Sequence, residues 1–224
     1  KVFAQNKYNI HLASRNIANL KIKKDEIELL YNINCKISFL DIENKESINS
    51  FLIDNPKSPN IILLSAGLLE NKNTNNNQIL NINYLSQVNF IEKSILKYKD
   101  QKDLNAIIGI SSVAGDRERK NLNAYASSKS SYSLYLKELR PKLYKSGINV
   151  LTIKPGWVNT KMTQNLKLPK IMTVNADFVG NKIFKAYKNK KNILYVPWYW
   201  SIILFIYNIV PEIFFKIIKN RKFN

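Results

Sequence analysis

Apolar residues in this chain gather into short runs separated by longer mixed segments. Tyr8-Asn-Ile-His-Leu-Ala13, Lys36-Ile-Ser-Phe-Leu40, Ile61-Ile-Leu-Leu64, Ala106-Ile-Ile-Gly-Ile110, Asn149-Val-Leu-Thr-Ile153 and Ile193-Leu-Tyr-Val196 are each four to six residues long. Runs of that length, rich in Ile, Leu and Val, read as strands buried on both faces. Helix-length segments lie between them: around Lys24 to Tyr31, around Ser47 to Ile53, a long one carrying Asn83, one carrying Tyr125, and one around Phe178 to Lys188. Asn71 to Asn77 is a polar loop, and Lys1 to Gln5 reads as the last turn of a helix. Strands alternating with helices predict an α/β fold, a doubly wound parallel sheet covered on both faces.

The candidate chemistry sits in Gly109-Ile-Ser-Ser-Val-Ala-Gly115, Tyr125-Ala-Ser-Ser-Lys129 and Lys154-Pro-Gly-Trp-Val-Asn-Thr160. Tyr125 and Lys129, four apart, share one helix face and reach one pocket. A phenol keeps its proton until about pH 10. A neighbouring ammonium favours the phenolate, which makes Tyr a usable proton donor nearer neutrality. Spacing alone does not single this pair out, because Tyr98/Lys102 and Tyr187/Lys191 share it. Only the middle copy lies between two strands, with Ser112 before it and Pro155-Gly156 after.

These motifs resemble the short-chain dehydrogenase/reductase family over nearly the whole chain. The resemblance implies a Rossmann-like sheet and gives roles to particular residues. Tyr125 matches the general acid/base, and Lys129 the partner that binds ribose and lowers the phenol pKa. Ser112 matches the residue that hydrogen-bonds the substrate carbonyl, and Asn83 the helix Asn of a proton relay. Pro155, Gly156, Val158 and Thr160 match the loop around the nicotinamide carboxamide. Asp41 and Ile42 match the pair around adenine. Ser65-Ala66-Gly67 stands where the family usually has Asn-Asn-Ala-Gly, so two amides that brace the sheet are lost.

The family's first strand and its Gly-rich pyrophosphate turn have no counterpart here. The chain is therefore expected to be a fragment lacking roughly twenty residues, the length of a strand, turn and most of a helix. Arg15 ends the strand where cofactor choice is made. Its fork of donors suits a 2′-phosphate, whereas an acidic residue would suit a bare ribose, so NADP(H) is favoured over NAD(H). The alternative for Arg15 is a solvated side chain at a strand end.

The formal charge of +19 comes from 35 basic and 16 acidic residues, and 30 of the 35 are Lys. Scattered lysines among many Asn and Ile look like codon bias rather than a nucleic-acid surface, which leans on Arg and grouped aromatics. No nucleic-acid partner is expected; an anionic membrane surface stays open. Cys35 is alone, which fits a reducing, cytoplasmic compartment and a small buried side chain. His11 is expected to be packed mid-strand. One His and one Cys give no metal site.

The run Ile193 to Pro211 is uncharged, aromatic and flanked by basic residues. A span needs about 20 apolar residues. Pro197 interrupts this run, so an interfacial contact fits better than a span; a helix packed on protein is the alternative. The expected organisation is a catalytic domain, residues 1–196, followed by a tail, 197–224, in peripheral membrane contact. Leu166, Leu168, Ile171 and Met172 in the segment Gln164 to Asn175 are expected to form an apolar lid. Ser65 to Leu69, Ser111 to Lys120 and Val196 to Phe214 resemble the decaprenylphosphoryl-2-keto-erythro-pentose reductase branch. That implies a keto sugar on a polyprenyl phosphate, with Arg117 or Arg119 meeting the phosphate; the alternative for Asp116 to Arg119 is an exposed charged loop. The expected function is an NADPH-dependent ketone or keto-sugar reductase, a homo-oligomer. Its rivals are a reductase of fatty or other hydrophobic ketones and a non-catalytic NADP-binding protein.

Overall fold

The structure is a computed structural model, and it describes residues 1–69, 74–117, 123–164 and 166–210. The chain opens with α1 (Val2–Gln5), then β1 (Ile10–Ser14), α2 (Ile17–Tyr31), β2 (Cys35–Phe39), α3 (Lys45–Asp54) and β3 (Ile61–Leu64). After these come α4 (Asn76–Leu80), α5 (Ser86–Tyr98), β4 (Ala106–Ile110), α6 (Asn123–Tyr144), β5 (Asn149–Pro155) and β6 (Trp157–Asn159). The chain continues through β7 (Thr173–Asn175), α7 (Ala176–Lys188), β8 (Ile193–Val196) and α8 (Tyr199–Ile209). Every strand pair is parallel. The α/β alternation read from the apolar runs is the architecture observed.

The strands do not form one continuous sheet. Among the described residues β3-β4-β5-β8 make one sheet and β1-β2 another, while β6 pairs with β7. The facing edges of β1 and β3 border a slot of about 520 Å³. Ile107, Ile108, Leu151 and Ile153, all within 1 % exposure, form the centre of the larger sheet. α5 and α6 cover one face of it through Ile91, Tyr132 and Leu136. α7 covers the other through Val179, Ile183 and Ala186. β4 can approach α6 closely only because Gly109 lacks a side chain: a Cβ there would meet Leu136 Cδ1 at 2.4 Å.

Several abundant asparagines do a local job that composition did not reveal. Asn16, Asn44 and Asn175 each accept a hydrogen bond from the backbone N–H three residues on, capping α2, α3 and α7. The Asn16 cap starts α2 seven residues before the expected Lys24. Asn76 and Asn77, expected in a loop, open α4, capped by Asn75; Asn71 to Asn73 lie outside the described residues.

Two expectations are corrected. His11 is exposed rather than packed in the core: its ring borders the slot, stacks on Phe51 and hydrogen-bonds Ser38 at 2.8 Å, because among the described residues no helix buries that stretch of β1. The expected apolar lid is not assembled: Ile171 is 99 % exposed and Leu166 is exposed, while Met172 alone of the four packs against the Trp200 cluster. Cys35 is fully buried, and burial pushes its thiol pKa up.

Candidate active site

β4 delivers Ile110 to the edge of the site, and Ser111 and Ser112 follow with different tasks. The Ser111 hydroxyl is committed to structure: it donates to the Lys129 carbonyl at 2.9 Å and meets the Ser133 hydroxyl at 2.7 Å. Ser112 caps a 3-10 turn, Val113–Asp116, its Oγ accepting from Ala114 N–H at 3.1 Å. That use takes a lone pair and spares the hydroxyl proton. Gly115 presses this turn onto α6, where a Cβ would lie 2.7 Å from Lys129 C and Ser130 N.

α6 carries Tyr125, half-buried, and Lys129, 3 % exposed, one turn apart. Lys129 Nζ donates to the Ile110 carbonyl at 2.9 Å, and burial lowers its pKa to about 8. Asn83 is fully buried in a π-turn, Asn81–Leu85, between α4 and α5. Its amide clasps Leu68: Oδ1 accepts from Leu68 N–H at 2.7 Å and Nδ2 donates to Leu68 O at 2.9 Å and Ser128 Oγ at 3.1 Å. Sequence reading did not foresee the π-turn, a feature common at functional sites. Lys129 and Asn83 converge on Gly67: a Cβ there would stand 3.7 Å from Lys129 Nζ, 3.6 Å from Asn83 Oδ1 and 3.5 Å from Met162 Cε.

Ser65, Ala66 and Gly67 border the slot together with Arg15 and Ile42. Arg15 Nη1 lies 3.3 Å from Glu43 Oε2 in an exposed pair. Asp41 is held locally, its carboxylate accepting from Glu43 N–H and its own N–H donating to Ser47 Oγ. The amides lost before Ala66 have a substitute that sequence reading missed. Gln87 Nε2 donates to Ala66 O at 3.1 Å and to the π-turn carbonyls of Ile82 and Asn83. The available signal was a Gln one helical turn beyond Asn83.

On the far side, Pro155 ends β5 beside Val196, and Gly156 N–H donates to Val196 O at 2.8 Å. Val158 pairs with Val174 in the small sheet. Thr160 is held by Thr163, whose hydroxyl accepts from Thr160 N–H at 3.1 Å and donates to Val158 O at 2.6 Å. Asp116 is not exposed: Lys154 Nζ lies 2.6 Å from its Oδ1, and the Tyr195 hydroxyl donates to Oδ2 at 2.8 Å. Burial and that carboxylate keep the Tyr195 phenol protonated. Arg117 lies over the Trp200 ring at 5.4 Å; Arg119 falls outside the described residues. Trp200, Trp157, Met172 and Tyr199 gather beside Val113 in an aromatic cluster.

The short chain dehydrogenase family model matches residues 1–170. A rat protein, dehydrogenase/reductase SDR family member 7B, is 27 % identical over 156 residues, covering 64 % of this chain and 48 % of that protein. The chain thus spans about half the length of that relative. A short-chain dehydrogenase from Sphingobium yanoikuyae, solved with NADPH, aligns with a TM-score of 0.78 at 14 % identity, covering 88 % of this chain and 81 % of the other. A bulky-bulky ketone specific alcohol dehydrogenase from Comamonas testosteroni aligns with a TM-score of 0.77 at 14 % identity, covering 99 % and 85 %. The two structural likenesses show the fold. On the family match, this chain belongs to the short-chain dehydrogenases.

Proposed function

We propose that this chain carries the catalytic machinery of an NADP(H)-dependent reductase of hydrophobic ketones. The observation that supports this reading is the convergence of Lys129 Nζ and Asn83 Oδ1 on Gly67, beside the Ser112 turn. When bound, the nicotinamide supplies the hydride. The Ser112 hydroxyl proton, spared by its capping role, polarises the substrate carbonyl oxygen. Tyr125 delivers the proton that the oxygen acquires. Lys129 biases the Tyr125 phenol toward its phenolate by charge, and Asn83 holds the Leu68 backbone so that the relay behind Lys129 stays in register.

The residues present fit part of a dinucleotide. Gly67, which has no side chain of its own, borders the slot, and Arg15 and Ile42 border it as well. These residues would hold the adenosine half, with Arg15 on a 2′-phosphate. Pro155, Gly156, Val158 and Thr160 would hold the nicotinamide half.

For the substrate, the aromatic cluster of Trp157, Trp200 and Tyr199 beside the Ser112 turn favours an apolar ketone. Arg117, stacked on Trp200, could extend recognition to a phosphate, as a polyprenyl-phosphate-linked keto sugar would present. A cytoplasmic homo-oligomer working beside a membrane suits such a substrate. The test is ketone-dependent NADPH oxidation by the protein and by Tyr125→Phe. Loss of a general acid is expected to cut turnover by about 10²–10⁴-fold with the melting temperature unchanged. Turnover retained by Tyr125→Phe rejects the reading.

A further inference from the structure

α8 has two faces of different character. Inward, Trp200 and Leu204 are 1 % and 2 % exposed and pack with Val113, the residue after Ser112. Outward, Trp198, Ile202, Phe205, Ile206 and Ile209 recur at spacings of three and four, and are between 49 % and 68 % exposed. The helix itself is uncharged. An apolar stripe of this kind, left open on a folded protein, marks a contact surface.

Charge indicates what covers it. From Lys182 to Asn224 the sequence holds nine basic residues and one acidic residue, Glu212. Lys188, Lys190 and Lys191 are exposed where α7 turns into β8, the strand that leads to α8. A second copy of this chain would carry the same net charge of +19 and be repelled, whereas a layer of anionic headgroups complements it. The eleven described residues of the helix reach about 16 Å, short of a hydrocarbon core of about 30 Å. Among the described residues no helix is long and apolar enough to cross a membrane.

We propose that α8 lies flat in the surface of an anionic membrane, its Trp198-Ile202-Phe205-Ile206-Ile209 stripe at the boundary of headgroups and acyl chains. Because the inner face of the same helix packs on the Ser112 turn, docking sets the candidate site against the lipid surface. A ketone carrying a long apolar tail would then reach Ser112 without leaving the interface. That last step rests on the reductase reading; the docking does not.

The test uses the full chain with vesicles of phosphatidylcholine alone and of phosphatidylcholine with phosphatidylglycerol in equal parts. Co-sedimentation is expected with the anionic vesicles and at least about tenfold weaker with the neutral ones. Headgroup-proximal brominated lipid is expected to quench Trp198, which is 68 % exposed. Phe205→Glu with Ile206→Glu is expected to weaken binding at least about tenfold with an unchanged melting curve. Should that pair disturb folding, Ile202→Ser serves, and quenching in the unaltered chain decides alone. No binding to anionic vesicles, or binding that survives the substitutions, overturns the proposal. A dimer that the same substitutions split, without vesicle binding, assigns the stripe to a second copy. Vesicle binding without ketone reduction upholds the docking and rejects only the reductase reading.

Discussion

The indole of Trp200 rests on the backbone of Gly156: a Cβ on that glycine would stand 2.0 Å from Trp200 Nε1 and 2.6 Å from Cε2. A residue matched by sequence to the cofactor loop is thus also the seat of the C-terminal segment. The loop after β5 packs on α8 through Trp200, and Gly156 N–H donates to Val196 O at the end of β8, the strand that leads into α8.

Gly156→Ala should therefore displace Trp200, which is 1 % exposed and has no room to yield in its cluster. A loss of about 1–3 kcal/mol is expected from overpacking. Urea denaturation and near-ultraviolet circular dichroism would register it. Unchanged stability with an unchanged aromatic signal would refute the packing role.

Lys129 carries a pH signature with a definite sign. Burial holds its pKa at about 8, against 10.5 when unfolded. Between those values the unfolded chain binds a proton that the folded chain does not, so stability rises with pH across that window. Below about 8 the cost is fully present, roughly 3 kcal/mol from the size of the shift. Lys129→Met should flatten the rise and raise stability at neutral pH while abolishing turnover. Denaturation midpoints measured from pH 7 to 10.5 would show it, and parallel curves for the two proteins would count against a buried, weakly basic Lys129.

Asp116 anchors the Ser112 turn to Lys154 and Tyr195. Asp116→Asn leaves the Lys154 ammonium, in a side chain 11 % exposed, without its counter-charge. A cost of about 2–4 kcal/mol is expected, toward the lower side of values for fully buried pairs. Asp116→Leu combined with Lys154→Met should recover most of it. A double-mutant cycle with no coupling between the two positions would dismiss the pair as a stabilising contact.

Arg15 is shared between Glu43 and the proposed 2′-phosphate. Glu43→Gln frees the guanidinium and should raise the preference for NADPH over NADH, while Arg15→Asp should reverse it by roughly tenfold, about 1.4 kcal/mol. The measurement is the ratio of kcat/KM for the two cofactors. A ratio insensitive to both substitutions removes Arg15 from cofactor choice.

Elements whose cause is local were legible in the chain. β3 and β4 match the expected runs residue for residue, because continuous apolar stretches have few alternatives to a strand buried on both faces. The start of α2 was misjudged because a cap at Asn16 outweighs a weakly amphipathic helix. The Tyr125–Lys129 pair was readable because four residues make one helical turn. Gln87 was not, since its significance depends on carbonyls from Ala66 and a π-turn that no short-range pattern announces.

The sequence by itself determined the alternation of the six longer strands with helices, the placing of Tyr125 and Lys129 one helical turn apart, and the uncharged, aromatic run from Ile193 to Pro211. These follow from periodicity, propensity and composition, which act over a few residues. Only the tertiary structure decided that Asn83 clasps Leu68, that Asp116 and Lys154 pair from 38 residues apart, and that Gly156 seats Trp200. It alone divided the tail helix into a buried face and an open one. Such contacts depend on which surfaces are brought together when the sheet is covered, and that information is spread over the whole chain.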